Sequence, residues 1–254
     1  MRFTCSVALC AVCALSPLSP LSPLSDVFVP AVSTQSSPQN PPSASAPASS
    51  ALDRYLNTVG DPAPSYRCKR VLTARAGSRQ ATLVAMTSLD SSGQFNYEVI
   101  SEEGSGIIRS KVLHAALDTE QKAKSRDQAA RAAVTPANYT FEPAGASGEG
   151  AERVRIKPRR NEAMMIDGSI VLDADDGDLM KIEGTLVKRP SFWTRRVEIA
   201  REYARIGGAR VPVSMSSVAD VLFVGRSTFD MRYEYESING VPVRATASAA
   251  AAKD

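Results

Sequence analysis

Residues Met164–Val187, MMIDGSIVLDADDGDLMKIEGTLV, read as two strands around a turn. Two runs, Met164 to Leu172 and Leu179 to Val187, begin and end on apolar residues, and between them lie Asp173, Asp175, Asp176, Gly177 and Asp178. The Asp176-Gly177 step supplies a residue that tolerates the positive φ a tight hairpin needs. Each run suits a strand better than a helix, because it is short, bounded by turn residues and rich in β-branched side chains.

The same grammar extends in both directions. Downstream, Trp193, Val197, Ile199 and Tyr203 share one face of a long run from Ser191 to Arg205. Gly207-Gly208 turns that run into Val211, Val213 and Met215. The last strand sets Phe229, Met231, Tyr233 and Tyr235 against Asp230, Arg232, Glu234 and Glu236, and Asn239-Gly240 ends it. Upstream, Val154 and Ile156 alternate with Arg153, Arg155 and Lys157, after a Gly/Ala/Ser loop at Gly145–Gly150 and a strand at Asn138–Glu142. Alternation of this kind puts one residue set on a core and the other in water.

Further upstream lies a three-strand meander. Tyr66, Cys68, Leu72 and Ala74 face one way, with Arg67, Lys69, Thr73 and Arg75 opposite. Ala81–Leu89 is apolar on both sides, the pattern of a central strand, and Ser91-Ser92-Gly93 turns it into Phe95, Tyr97 and Val99. At Gly106 the period changes to that of a helix, with Ile108, Val112, Ala115 and Ala116 on one stripe and Leu113 and Leu117 beside it. Charged residues follow to Arg131, and Thr135-Pro136 closes the segment. A short helix, ALDRYLNTV at Ala51–Val59, precedes the meander and ends at Gly60-Asp61-Pro62. The expected fold is α+β and mainly antiparallel. It is a curved sheet or incomplete β-barrel of about nine to eleven strands with helices across its concave face.

The ends do not join this core. Arg2 and the apolar run Val7–Leu15 before Ser-Pro have the layout of a secretory signal, and the run is shorter than the ~20 apolar residues a membrane span needs. Leu9 and Val12 precede Cys10 and Cys13, where lipid attachment prefers a small residue, so the lipoprotein route fits less well. The expected organisation is a signal h-region at 1–15, a Ser/Pro/Ala-rich linker at 16–50, one domain at 51–243 and a low-complexity tail at 244–254. The chain is read as exported to the periplasm or cell envelope. Cys68 is the one cysteine left after removal of the signal, so the fold rests on its core and not on an intrachain bridge.

Charge and motifs exclude several functions. With 30 basic and 27 acidic residues, and the basic ones alternating with apolar ones, there is no basic stripe for nucleic acid. One histidine, His114, gives no zinc site with Cys68 and no triad without a nucleophile elbow, so it reads as a helix-surface residue. The acids at Asp173–Asp178 miss the calcium-loop spacing: counting from Asp173, Gly177 is fifth and Gly184 twelfth, where a Gly is needed sixth and a Glu twelfth. No phosphate-binding or dinucleotide glycine motif occurs. The reading is non-enzymatic, with no cofactor, no metal and a monomeric chain.

The stretch Gly168–Asp173, Leu179–Gly184, Ser191–Thr194 and Arg210–Val213 is similar to the hairpin region of the bacterial outer-membrane lipoprotein carrier superfamily, the LolA-like fold, which includes periplasmic regulators of the RseB type. The resemblance implies a half-barrel with helices crossing it, binding a lipophilic ligand or lipoprotein acyl chain. In those carriers an arginine holds the closed state, and no motif here assigns its counterpart. Candidate cavity residues are Phe95, Tyr97, Ile108, Val112, Trp193, Val197, Ile199, Tyr203, Val213, Phe229, Met231 and Tyr233. Two other readings stand beside this one: an interaction or envelope-stress regulatory module whose cavity is filled by its own side chains, meeting an envelope protein partner, and an enzyme lacking any recognisable catalytic pair.

Overall fold

The computed structural model of the chain describes residues 50–58, 64–122, 133–162, 164–189, 194–222 and 225–243. The expected signal and tail, the linker but for Ser50, the Gly60-Asp61-Pro62 stop, the charged segment beyond Lys122 and Trp193 all lie outside those residues.

Eleven strands form one antiparallel sheet. In chain order they are β1 (Tyr66–Ala76), β2 (Arg79–Leu89), β3 (Phe95–Gly104), β4 (Tyr139–Ala146), β5 (Ala151–Pro158), β6 (Ile166–Asp173), β7 (Leu179–Leu186), β8 (Thr194–Ile206), β9 (Ala209–Val221), β10 (Gly225–Ile238) and the two-residue β11 (Val241–Pro242). The spatial order is β3-β2-β1-β10-β9-β8-β7-β6-β5-β4, with β11 paired to β10. The sheet is open and curved, and it consists of two meanders. One runs from β1 outward to the edge at β3, and the other from the edge at β4 inward to β10. The long-range step is the β1–β10 pairing, which joins Tyr66–Ala76 to Ser227–Ile238.

This order dictates where the helices go. The chain between β3 and β4 connects opposite edges of the sheet, so it must cross a face. Gly104 starts the departure at φ +86°, where a Cβ would lie 2.4 Å from the Gln80 carbonyl oxygen. Ser105 N then donates to Gln80 O at 2.8 Å. α2 (Gly106–Ile108), a π-helical turn (Arg109–Leu113) and α3 (His114–Lys122) follow without a break. Ile108, Val112, Leu113, Ala116 and Leu117 are buried, as the helical period predicts, whereas Ala115 of the same stripe is half-buried. Each aliphatic side chain buried in this way contributes about 1.5–3 kcal/mol. The other helix, α1 (Ala51–Thr58), starts at a reciprocal cap. Asp53 N donates to Ser50 Oγ at 3.1 Å, and Ser50 N donates to Asp53 Oδ2 at 3.2 Å. α1 buries Ala51 and Tyr55 beside β6.

The inner face, beneath the helices, carries the core. Register places Leu83, Leu72, Met231, Met215, Arg201, Ile182, Ile170 and Val154 side by side on successive strands from β2 to β5. All of them are buried. The neighbouring row is smaller: Ala81, Ala74, Phe229, Ser217, Ile199, Gly184, Gly168 and Ile156. At its glycine pair the strands leave no room for a side chain, since a Cβ on Gly168 would lie 2.0 Å from Glu183 O.

Four details differ from the sequence expectation. β2 is next to the edge strand and not central, and its outer side chains Val84 and Met86 are only half-buried. β4 runs through Gly145 to Ala146, shortening the expected loop, because its irregular pairing with β5 past Pro143 resumes at Ala146–Glu152. Asn239-Gly240 ends β10 as expected, but that strand is not the last, since those residues take φ of +50° and +77° and turn β11 back onto β10. The helix at Gly106 widens into a π-helical turn at Arg109–Leu113 before it continues.

Candidate functional site

The inner face at the β1 end of the sheet holds a charged group where alternation leads one to expect a hydrophobe. Arg70 lies on β1 between Cys68 and Leu72 in the inward parity and is 2 % exposed. Its planar group is enclosed by aromatic rings, with the guanidinium carbon 4.9 Å from the Phe95 centroid, 4.8 Å from that of Tyr233 and 5.8 Å from that of Tyr66. Rings at such distances attract the cation through their electron-rich faces. Nη2 donates to Tyr66 Oη at 2.6 Å. The end of the fork grips Glu120 of α3, with Nη1 donating to Oε2 at 2.6 Å and Nη2 to Oε1 at 3.1 Å. Burial opposes the charge on Arg70, but the Glu120 carboxylate and the neighbouring tyrosines outweigh it and raise its pKa well above the usual value.

Three further contacts, from two residues of the edge strand β3, fasten the helices to it. Tyr97 Oη donates to Asp118 Oδ1 at 2.5 Å. Burial first, and then this hydrogen bond, push the Tyr97 pKa up to about 12. Glu102 takes Arg109 Nη1 on Oε1 at 2.6 Å, and its Oε2 lies 2.6 Å from His114 Nε2. The His114 hydrogen bond, with Arg109 beside it, holds the Glu102 carboxyl below the ordinary range. The helix is therefore apolar toward the sheet and tied down along its side by carboxylates and their partners. His114, expected on the helix surface, is one of those partners, with its side chain 31 % exposed.

Among the sequence-predicted cavity residues, Phe95, Ile108, Val112, Val197, Ile199, Phe229 and Met231 are buried in one continuous core. Tyr97, Tyr203 and Tyr233 are half-buried against it. Val213 is not brought in: it sits at the bulge where Glu202–Tyr203 oppose Ser214–Pro212, and it stays half-exposed outside that core. Trp193 lies outside the described residues.

Arg70, Glu120 and Asp118 are not among the residues the sequence singles out, although Arg70 alternates in phase with Cys68 and Leu72. Its parity was the available signal, since the neighbours two residues either side, Cys68 and Leu72, are both fully buried. Arg201 repeats the pattern on β8, buried at 3 % between Ile199 and Tyr203, with Nη2 3.6 Å from Met215 Sδ. Cys68 is buried as expected, and burial pushes its thiol up to about 12.

The acids of the β6–β7 turn are structural acceptors. Asp173 Oδ1 accepts from Asp175 N at 2.9 Å and Asp176 N at 3.3 Å, and Asp178 pairs with Arg205 and Arg210. Among the described residues no group of His, Cys, Asp or Glu is placed to hold a metal. On the outer face a shallow hollow of about 120 Å³ is lined by Arg196, Glu198, Val218, Asp220 and Arg226.

No family model matches the chain, and no curated protein matches it. Among solved structures it is similar to the crystal structure of a LolA superfamily protein from Nitrosomonas europaea, at 10% sequence identity and a TM-score of 0.34. The match covers 78% of this chain and 94% of that one. A TM-score of that size brings neither a function nor residue roles to this chain.

Proposed function

We propose that this is a non-catalytic protein of the cell envelope that holds a lipophilic ligand, such as a lipid or a lipoprotein acyl chain, between the inner face of the sheet and the helices crossing it. One observation supports the reading above the others. The helical segment Gly106–Lys122 that follows β3 lies on the inner face as an apolar cover, yet it is fastened by polar contacts at Arg70–Glu120, Tyr97–Asp118 and Glu102–His114. Such ties can open without unfolding the sheet, because the sheet's own hydrogen bonds do not pass through the cover. An apolar ligand entering beneath it would gain about 25 cal/mol for each Å² of apolar surface removed from water. The same surface now buries Ile108, Val112, Leu113 and Leu117, so ligand and helix compete for it.

The continuous packing of those helical residues with Phe95, Phe229 and Met231 favours a second reading, in which the core is filled by the chain itself and an envelope protein is the partner. Extraction and mass spectrometry of the purified full chain distinguish the two. Co-purified lipid, together with saturable binding of a fluorescent fatty acid, supports the first. An empty protein that binds no such probe, and that recovers a stoichiometric partner from envelope extract, supports the second.

A further inference from the structure

We propose that the ligand is a single-chain amphiphile bearing a carboxylate, whose head group replaces Glu120 on Arg70 and whose chain runs from there toward the small-residue row of the sheet. The proposal rests on the lipophilic-ligand reading and adds the chemistry of the head group.

The site around Arg70 is already a carboxylate site, occupied by one from the chain's own helix. The guanidinium is held between Phe95 and Tyr233 and braced by Tyr66, so its orientation does not depend on Glu120. Its remaining edge presents paired N–H donors, the arrangement that recognises a planar carboxylate with two parallel hydrogen bonds. Glu120 uses only the Nη1–Nη2 end of the fork. The Arg70 Nε–H is buried and has no acceptor among the described residues. A carboxylate not tethered to a helix can shift toward the Nε side, sharing Nη2 with Tyr66, and satisfy that donor, which is a reason for it to compete with Glu120.

The chain's path follows from register. From Arg70 the inward residues along β1 are Leu72, Ala74 and Ala76, so the face becomes both apolar and smaller away from the charge. Across from Ala74 lie Ala81 on β2 and Phe229 on β10, and Ser217 follows on β9. Arg70 to Ala74 spans roughly 14 Å at the usual strand rise, about the length of an extended dodecanoyl chain. Ile108 and Val112 of the helical cover are buried on this part of the core. Displacing Glu120 therefore loosens the cover above the groove the chain would take.

The test is isothermal titration of the full chain with laurate and with 1-dodecanol, which share a chain and differ in the head group. The expected result is laurate binding about tenfold or more tightly than dodecanol, the range of one charge-assisted hydrogen-bond pair. In Glu120→Gln, which keeps shape but weakens the internal competitor, laurate should gain about tenfold while dodecanol stays unchanged. Arg70→Lys, which keeps charge but loses the fork, should erase the laurate preference. Equal affinity for the two compounds in the unaltered protein overturns the carboxylate assignment while leaving the lipophilic-ligand reading standing. Binding of neither overturns both. Laurate affinity unchanged in a folded Glu120→Gln protein overturns the exchange with Glu120.

Discussion

Replacing Glu120 by leucine strands the Arg70 guanidinium, which is 2 % exposed and, among the described residues, has its carboxylate acceptor on that residue alone. Breaking a buried ion pair from one side costs about 3–5 kcal/mol, because the remaining charge stays desolvated. Arg70→Met removes the cation and leaves Glu120, whose side chain is already 12% exposed and can turn to water. Its cost is smaller, about 1–3 kcal/mol for the lost hydrogen bonds and ring contacts. The double variant Arg70→Met/Glu120→Leu leaves no charge buried and unpaired, loses only the hydrogen bond to Tyr66 Oη, and should lie within about 1–2 kcal/mol of the original protein, as apolar replacements of buried pairs often do. The coupling between the two sites is then at least about 2–3 kcal/mol. Urea unfolding followed by circular dichroism gives all four stabilities, with equal m-values as the check that one transition is being compared. Single-variant costs that add to within about 0.5 kcal/mol would refute the ion pair as the fastening of the helix.

Gly168→Ala should destabilise by more than about 2 kcal/mol in a thermal melt, since its Cβ meets the Glu183 carbonyl and Gly184 Cα and no side chain can yield. Gly208→Ala, with open space around it, should cost only about 1 kcal/mol for its φ of +79°. Cys68 should resist a thiol reagent near neutral pH in the folded chain once Cys5, Cys10 and Cys13 are replaced by serine, and react fully in urea. Rapid labelling of the folded protein would contradict the burial that pushes its pKa up to about 12. The same burial predicts alkaline lability. Tyr97 keeps its proton in the folded state to about 12, whereas the unfolded chain loses it near 10.0, so stability falls as pH rises above that lower value. Tyrosinate absorbance and circular dichroism should then change together. Glu102→Gln should raise amide exchange across Gly106–His114 while leaving β1 and β10 protected, and the same loosening should appear in the original protein as pH falls below the ordinary glutamate value of 4.5.

Much of the architecture was legible because strand alternation is local. Two-residue periodicity reports which side chains share a face whatever the strand pairs with, and Gly177, Gly207-Gly208 and Asn239-Gly240 mark the turns by conformations few other residues tolerate. The helix at Ile108–Leu117 was readable for the same reason, through a period of its own. Those signals also produced the specific errors. An apolar run on both sides suggested a central strand at Ala81–Leu89, but half-burial beside an edge strand gives the same pattern. Val213 shares parity with Met215, yet a bulge opposite Glu202–Tyr203 takes it out of the row.

The crossing helix was visible in the sequence, with its apolar stripe, and so was the aromatic stripe of β10. By itself the sequence determined the strands, their faces and their turns, since each depends on neighbours a few residues apart. Only the tertiary structure decided that β1 pairs with β10, that the β3–β4 connection must therefore span the sheet from edge to edge, and that Arg70 meets Glu120 fifty residues away. Pairing between distant strands and the choice of a buried ion's partner follow from how the whole sheet closes on its core. No local period encodes that.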